Sequence, residues 1–422
     1  MLRTLVIFIA LSSANHFAFM GTRLVVLLYA LHLGASPAVV GLLAALFSVV
    51  SAFLSVPMGR VMDRVGPGRP MMWCSLVIFV GAMTGALWSD IAALFFVAVL
   101  VGTFYNLFFV GHTQWVGRIG APRDRVGNIS WAALGFSIAT FLGPLSVGYV
   151  IDHFGHAEAL LMMSLAPLFA VVVIAFNVIE SPEGGHASAT ARAAAATHRI
   201  GDLLKVVELR RVYAVSVIAS STWSLVSLLV PLYGAEIGLS ASTIGLILGA
   251  YSSAAVVIRL FMRQISSRFT SWQQMLMSLS SAGVCFIVFP LVSNLAGLLV
   301  VAFLVGLGMG LAGPLSQNLL YDASPPDRVG EVMGLRVTVM NSTATVVPLA
   351  SGALSAAVGV LPIFWVLAAS LVGVSYWRRS QWNQPPPGVE CSGAEFAGIS
   401  AESPPGSDAE SADTGSERER RP

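Results

Sequence analysis

His16, Met20 and Arg23 stand at i, i+4 and i+7, so a helix places all three on one face. An arginine on such a face, inside an apolar run, is suited to grip a carboxylate or phosphate by two parallel hydrogen bonds. The competing reading of Arg23 is a structural arginine bonded to backbone carbonyls or reaching outward to water. Charge within an apolar span is costly, which makes Arg23 a substrate candidate. Arg336 is a second, with a rival reading in which it reaches the membrane surface or pairs with Glu331 or Asp322. Tyr105, Asn106, Trp223, Tyr251 and Asn341 fall well inside other apolar runs and complete the candidate substrate set. Packing and interhelical hydrogen bonds are the alternative for each. His16 titrates near neutral pH and is a candidate for a coupled proton, against a purely structural histidine.

The rest of the chemistry is bounded by what the chain lacks. No carboxylate occupies the central third of any apolar run; Asp152, Glu236, Asp322 and Glu331 lie near ends. Charge pairing with a lipophilic cation is therefore hard to build. There is no H-E-x-x-H, no G-x-S-x-G and no G-x-x-x-x-G-K-[ST], so neither an embedded enzyme nor an ATP-driven pump is indicated. Cys74, Cys285 and Cys391 form no C-x-x-C pair, which gives no metal site. A formal net charge of +2 offers nothing to nucleic acid.

The elements that must carry these residues follow from composition. Of 422 residues, 56% are hydrophobic and 10% charged, with a mean hydropathy of +0.80. Soluble domains carry about 25% charged residues, so the solvent of this chain is lipid. A spanning helix needs roughly 20 apolar residues. Such runs number twelve, from Leu5–Leu33 to Pro362–Tyr376. The first is read as a helix and not as a cleaved leader, because its apolar character continues to Leu33.

Arginines fall on alternate connections, among them Arg60, Arg64, Arg69, Arg118, Arg263, Arg268 and Arg328, while the other connections carry Asp90, Asp152, Glu158 and Glu236. By the positive-inside rule both termini are cytoplasmic. Lys205 is the one lysine among 23 basic residues, a bias that fits a GC-rich bacterial genome and a bacterial inner membrane. The expected organisation is a six-helix bundle over 1–179, a cytoplasmic linker over 180–211, a second bundle over 212–379 and a disordered cytoplasmic tail over 380–422. Within the linker, Ile200 to Val212 reads equally as a helix on the membrane surface or as an extension of the seventh span.

The two halves repeat each other. Tyr29 recurs at Tyr233, Gly34 at Gly238, Gly41 at Gly245, Arg64 at Arg268, Gly102 at Gly306, Pro144 at Pro348, Gly148 at Gly352 and Gly155 at Gly359, always 204 positions on. Six helices with the same in–out sense in each half is a parallel repeat about an axis along the membrane normal. That arrangement puts a binding site between the halves near the midplane.

Between the second and third runs the chain carries Gly59, Asp63, Arg64, Gly66 and Arg69. This segment resembles the loop motif G-x-x-x-D-R-x-G-R of the major facilitator superfamily, with its last arginine two places late. The fifth run carries Gly143, Pro144 and Gly148, which partly resembles the family's antiporter motif, and Pro348 and Gly352 are their counterparts in the eleventh. Small residues there permit close helix packing. Ala98 stands where many proton-coupled members have an arginine, ahead of Gly102. The resemblance implies an all-α membrane protein of twelve helices in two pseudo-symmetric six-helix bundles. It implies alternating access, a cavity lined by helices 1, 4, 7 and 10, and a cytoplasmic gate. That gate would comprise the loop residues with Arg118, and in the second half Arg259 and Arg268. The expected function is secondary active transport of a small organic solute, leaning to an anionic or polar one. Amphiphile efflux is the alternative within the family, and a transport-dead sensor or scaffold the alternative outside it. The expected partners are a small-molecule substrate, a coupled proton or ion and the lipid bilayer, for a monomer without cofactor or metal.

Overall fold

The structure is a computed structural model describing residues 2–116, 118–120, 124–176, 178, 205–325 and 328–377. The linker expected over 180–211 falls outside these residues up to position 204, and the expected tail falls outside them entirely. The described residues form helices with short connections and no strand. In lipid no water competes for backbone groups, so a long apolar run must satisfy its own N–H and C=O groups as a helix.

The first half comprises α1 (Leu2–His32), α2 (Pro37–Val65), α3 (Gly68–Leu87), α4 (Ile91–Val116), α5 (Arg125–His153) and α6 (His156–Ala175). The second comprises α7 (Val207–Glu236), α8 (Ala241–Leu260), α9 (Ser271–Val288), α10 (Leu295–Gly310, resuming after Leu311 as Ala312–Asp322), α11 (Val329–Val358) and α12 (Leu361–Trp377). Among the described residues, eleven helices are long and apolar enough to cross a membrane; α12 is apolar and shorter.

Helix ends depart from hydropathy where helix continues beyond the bilayer. The segment read as a loop after the second run is mostly helix. α2 runs through Gly59 and Asp63 to Val65, and only Gly66, with φ +80°, turns the chain. Met62 explains the extension, since it is fully buried in a cluster with Met71 and Trp115. The described part of the linker from Val207 is the first turn of α7.

The repeat is physical as well as textual. Within the first half α2 packs on α4, α3 on α4 and α6, and α1 on α5; six helices on, α8 packs on α10, α9 on α10 and α12, and α7 on α11. Gly102 meets the backbone of Phe47, and its counterpart Gly306 meets the backbone of Tyr251, with no room for a Cβ in either place. Positive φ recurs in register at Gly155 (+113°) and Gly359 (+85°).

The halves join along two seams, α2 on α11 and α5 on α8. A Cβ on Gly41 would lie 2.6 Å from Gly352 Cα and 2.6 Å from the Pro348 carbonyl oxygen. Equivalently, Gly245 abuts the Pro144 carbonyl, and Gly148 abuts Ala241. These approaches all lie toward the helix ends that face away from the arginine-bearing connections.

Candidate functional site

Between the halves, beside the α5–α8 contact, lies a cavity. Arg23 and Met20 enter it from α1, Thr140 and Pro144 from α5, Trp223 and Ser227 from α7, and Leu248 and Tyr251 from α8. Its walls thus come from helices 1, 5, 7 and 8, not 1, 4, 7 and 10. The reason is the α5–α8 seam, which brings these two helices against α1 and α7. Arg23 lies nine residues from the end of α1 at His32, roughly 13 Å along the axis. That is close to half the apolar thickness of a bilayer.

Three features define the cavity chemically. The Arg23 Nε is buried and has no hydrogen-bond partner among the described residues, and the Tyr251 hydroxyl oxygen is in the same condition. Among the described residues, no carboxylate lines the wall. The remaining surface is largely apolar, with the Trp223 ring tilted against Tyr251 at 5.5 Å between centroids. Arg23 and Ser227 are repeat counterparts, and Tyr251 stands where the first half has Phe47. A symmetric frame therefore carries an asymmetric set of polar groups.

His16 is not in the wall. It is 8% exposed and sits behind Thr140. The Thr140 hydroxyl donates to the Phe136 carbonyl at 2.8 Å, so its oxygen accepts from His16 Nε2, also at 2.8 Å. Nδ1 then accepts from the Tyr105 hydroxyl. This network ties α1, α4 and α5 together, with the Tyr105 ring stacked on Phe19 at 4.0 Å. The His112 ring is tilted against Phe136 with centroids 4.6 Å apart, and His112 bonds Ser12 Oγ at 3.0 Å.

The other sequence candidates lie elsewhere. The Asn106 amide donates to the carbonyls of Phe47 (3.1 Å) and Gly102 (2.8 Å), locking α4 to α2. Arg336 has a buried, unpartnered Nε on α11 but is not part of this wall. Glu331, its suggested partner, instead pairs with Arg328 at 2.5 Å. Asn341 is half-buried on α11, where its carbonyl accepts from Thr345 at 3.0 Å. Thr140, Ser227 and Leu248 were not singled out by sequence.

Of the residues read as a gate, Asp63 is half-buried in the last turn of α2, and Arg64, Arg69, Arg118 and Arg268 are exposed. Gly59 faces Val110 on α4. Arg259 Nε donates to the Gly310 carbonyl at 3.2 Å, joining α8 to α10. Gly143, immediately before the seam residue Pro144, packs on Met20 and Gly21 of α1.

A sequence profile described as Major Facilitator Superfamily matches residues 6–342 and 289–402, nearly the whole chain. The chain belongs to the major facilitator superfamily. No curated protein matches the sequence. Solved structures of the same fold include a peptide transporter of the POT type in complex with sulfate (16% identity, TM-score 0.72, covering 90% of this chain and 94% of that one). A POT family transporter in complex with 5-aminolevulinic acid has 13% identity and a TM-score of 0.73, covering 90% and 96%. A nucleoside transporter, NupG, has 14% identity and a TM-score of 0.71, covering 90% and 100%. At such identities the likeness establishes the fold alone. The chain is a multi-pass membrane transporter of this superfamily, not an enzyme.

Proposed function

We propose that this protein is a secondary transporter of small organic anions that works by alternating access through the Arg23 cavity. The observation that carries the reading is the pair of buried, unpartnered polar atoms, Arg23 Nε and Tyr251 Oη, in a cavity without a carboxylate. A buried polar atom without a partner costs about 1–3 kcal/mol. A solute oxygen that reaches these groups removes that cost and neutralises the guanidinium. Trp223, Met20 and Leu248 take the apolar part of the solute. Among proteins of the fold, one is held in complex with sulfate and another with 5-aminolevulinic acid.

At the described glycines the backbone approaches between the halves, Gly41 to Gly352 and Gly148 and Gly245 to α8 and α5, lie away from the arginine-bearing connections. By the positive-inside rule both termini are cytoplasmic and this is a state open to the cytoplasm; we take the transporter to act as a monomer in a bacterial inner membrane. With no P-loop in the sequence, a solute, proton or ion gradient supplies the energy. The aromatic wall favours a second reading, efflux of amphiphiles. Arg23 opposes it for cations, which would have to sit beside an uncompensated positive charge.

A thermal-shift screen on the purified protein separates the two. The panel divides small organic anions from lipophilic cations, with Arg23→Gln beside the wild type. A ligand at about 100 times its Kd adds roughly 2.7 kcal/mol of apparent stability. Stabilisation of the wild type but not the variant by anions supports the proposal. Equal stabilisation of both by cations replaces it with the efflux reading.

A further inference from the structure

The seam between α5 and α8 is joined by a polar clasp; among the described residues the seam between α2 and α11 has no counterpart to it. Asp152, at the end of α5, accepts from the Ala241 N–H through Oδ1 at 3.0 Å and from the Ser242 N–H through Oδ2 at 2.8 Å. These are the first two residues of α8, whose amides have no partner within their own helix. They are also the positive end of the helix dipole, so the two bonds are charge-assisted. Ser240 caps the same helix from its own chain side, accepting from the Thr243 N–H at 3.2 Å. α8 is therefore capped from within the second half and, through Asp152, from the first.

The repeat exposes the asymmetry. Moved by 204 positions, Asp152 becomes Ala356, Ala241 becomes Pro37, Ser242 becomes Ala38 and Ser240 becomes Ser36. The second seam keeps the backbone contact of Gly41 with Gly352. A methyl group replaces the carboxylate there, and Pro37 has no N–H to offer in place of the first donor. Ser36 makes no side-chain cap bond.

We propose that Asp152 is the clasp that holds the transporter shut on the face opposite the arginine-bearing connections, and that closure there is fastened at one seam only. The glycine contacts set how closely the halves approach at both seams, while Asp152 sets how long they stay together. The carboxylate is solvent-exposed, so water can replace its partners each time the halves part. This inference rests on the alternating-access reading but on no particular substrate.

The test is a pair of spin-label distances on the full chain with its three cysteines replaced, in lipid nanodiscs. One label pair, at Ser89 and Ser293, reports the clasped face; these positions are exposed, repeat-equivalent and outside the seams. The other, at Val65 and Ser267, reports the arginine face. Asp152→Ala removes two bonds to a charged group, which together carry a factor of roughly ten or more in the equilibrium between the open and shut face. Asp152→Ala is therefore expected to raise the population with a long Ser89–Ser293 distance roughly tenfold or more. The Val65–Ser267 distance shortens in the same molecules. Fraying of α8 alone would not close the opposite face, so the paired change separates a gate from a helix cap. Asp152→Asn, which keeps one acceptor oxygen without the charge, gives an intermediate shift and is read in place of the alanine variant if that one does not fold. Wild-type distances on both faces in these variants would overturn the proposal. Neither distance needs a ligand, so the result stands apart from whether an organic anion is carried.

Discussion

Arg23 on α1 and Tyr251 on α8 belong to opposite halves, line one cavity, and each holds a buried polar atom with no hydrogen-bond partner. A solute oxygen that bonds both would bridge the halves, which is how binding energy biases a rocking equilibrium. Arg23→Gln should weaken anion binding by roughly tenfold to a hundredfold, the loss of one hydrogen bond to a charged group. Arg23→Lys keeps the charge without the paired donors and falls between. Calorimetric Kd values check both, and an unchanged Kd in the glutamine variant would remove Arg23 from the site.

Tyr251→Phe deletes a buried hydroxyl that has no hydrogen-bond partner among the described residues. The unliganded variant should unfold at the wild-type temperature or slightly above it. Its anion affinity should fall roughly fivefold, in line with a hydrogen bond of about 1 kcal/mol. A lowered unfolding temperature with unchanged affinity would assign Tyr251 to packing instead.

The His16 network predicts the opposite pattern. Tyr105→Phe removes the donor to His16 Nδ1, and Thr140→Val the acceptor for Nε2. Each strands a buried ring nitrogen at a cost of about 1–3 kcal/mol. Thermal unfolding should show the loss in both variants. Anion affinity in Tyr105→Phe should change less than in Arg23→Gln; a larger change would move Tyr105 from scaffold to site.

Gly41→Ala puts a Cβ 2.6 Å from two backbone atoms of α11 that cannot rotate away. Overpacking of this kind costs about 1–3 kcal/mol, and here it falls on contact between the halves. Gly313→Ala, which meets nothing within 4 Å, is the control. Thermal unfolding of the two variants should differ, and equal stabilities would show that the α2–α11 seam relaxes freely.

The helices and the repeat were legible in the sequence because lipid imposes them. Apolar runs must be helical there, and Gly41, Gly102, Pro144 and their counterparts recur because backbones cross at those points. Helix ends were less legible, since Met62 extends α2 by packing rather than by hydropathy. The cavity wall was legible only where a side chain was unusual for its surroundings, as with Arg23. Thr140, Ser227 and Leu248 are ordinary residues for a span, and only the α5–α8 crossing gives them a shared cavity. Asn106 shows the reverse, a conspicuous amide whose hydrogen bonds go to α2 and α4 backbone. Asp152 read as an acid near a helix end; its partners are about 90 residues away, and no local pattern announces them.

The central claim is tested most directly by uptake into proteoliposomes of the anion that stabilises the purified protein best. Wild type and Arg23→Gln, matched for amount and folded state, are compared with Gly313→Ala as a folded reference. Saturable anion uptake by wild type and Gly313→Ala, with at least a tenfold lower rate in Arg23→Gln at subsaturating anion, is the predicted result. Equal uptake by the glutamine variant, or transport confined to lipophilic cations, would contradict an anion path through Arg23.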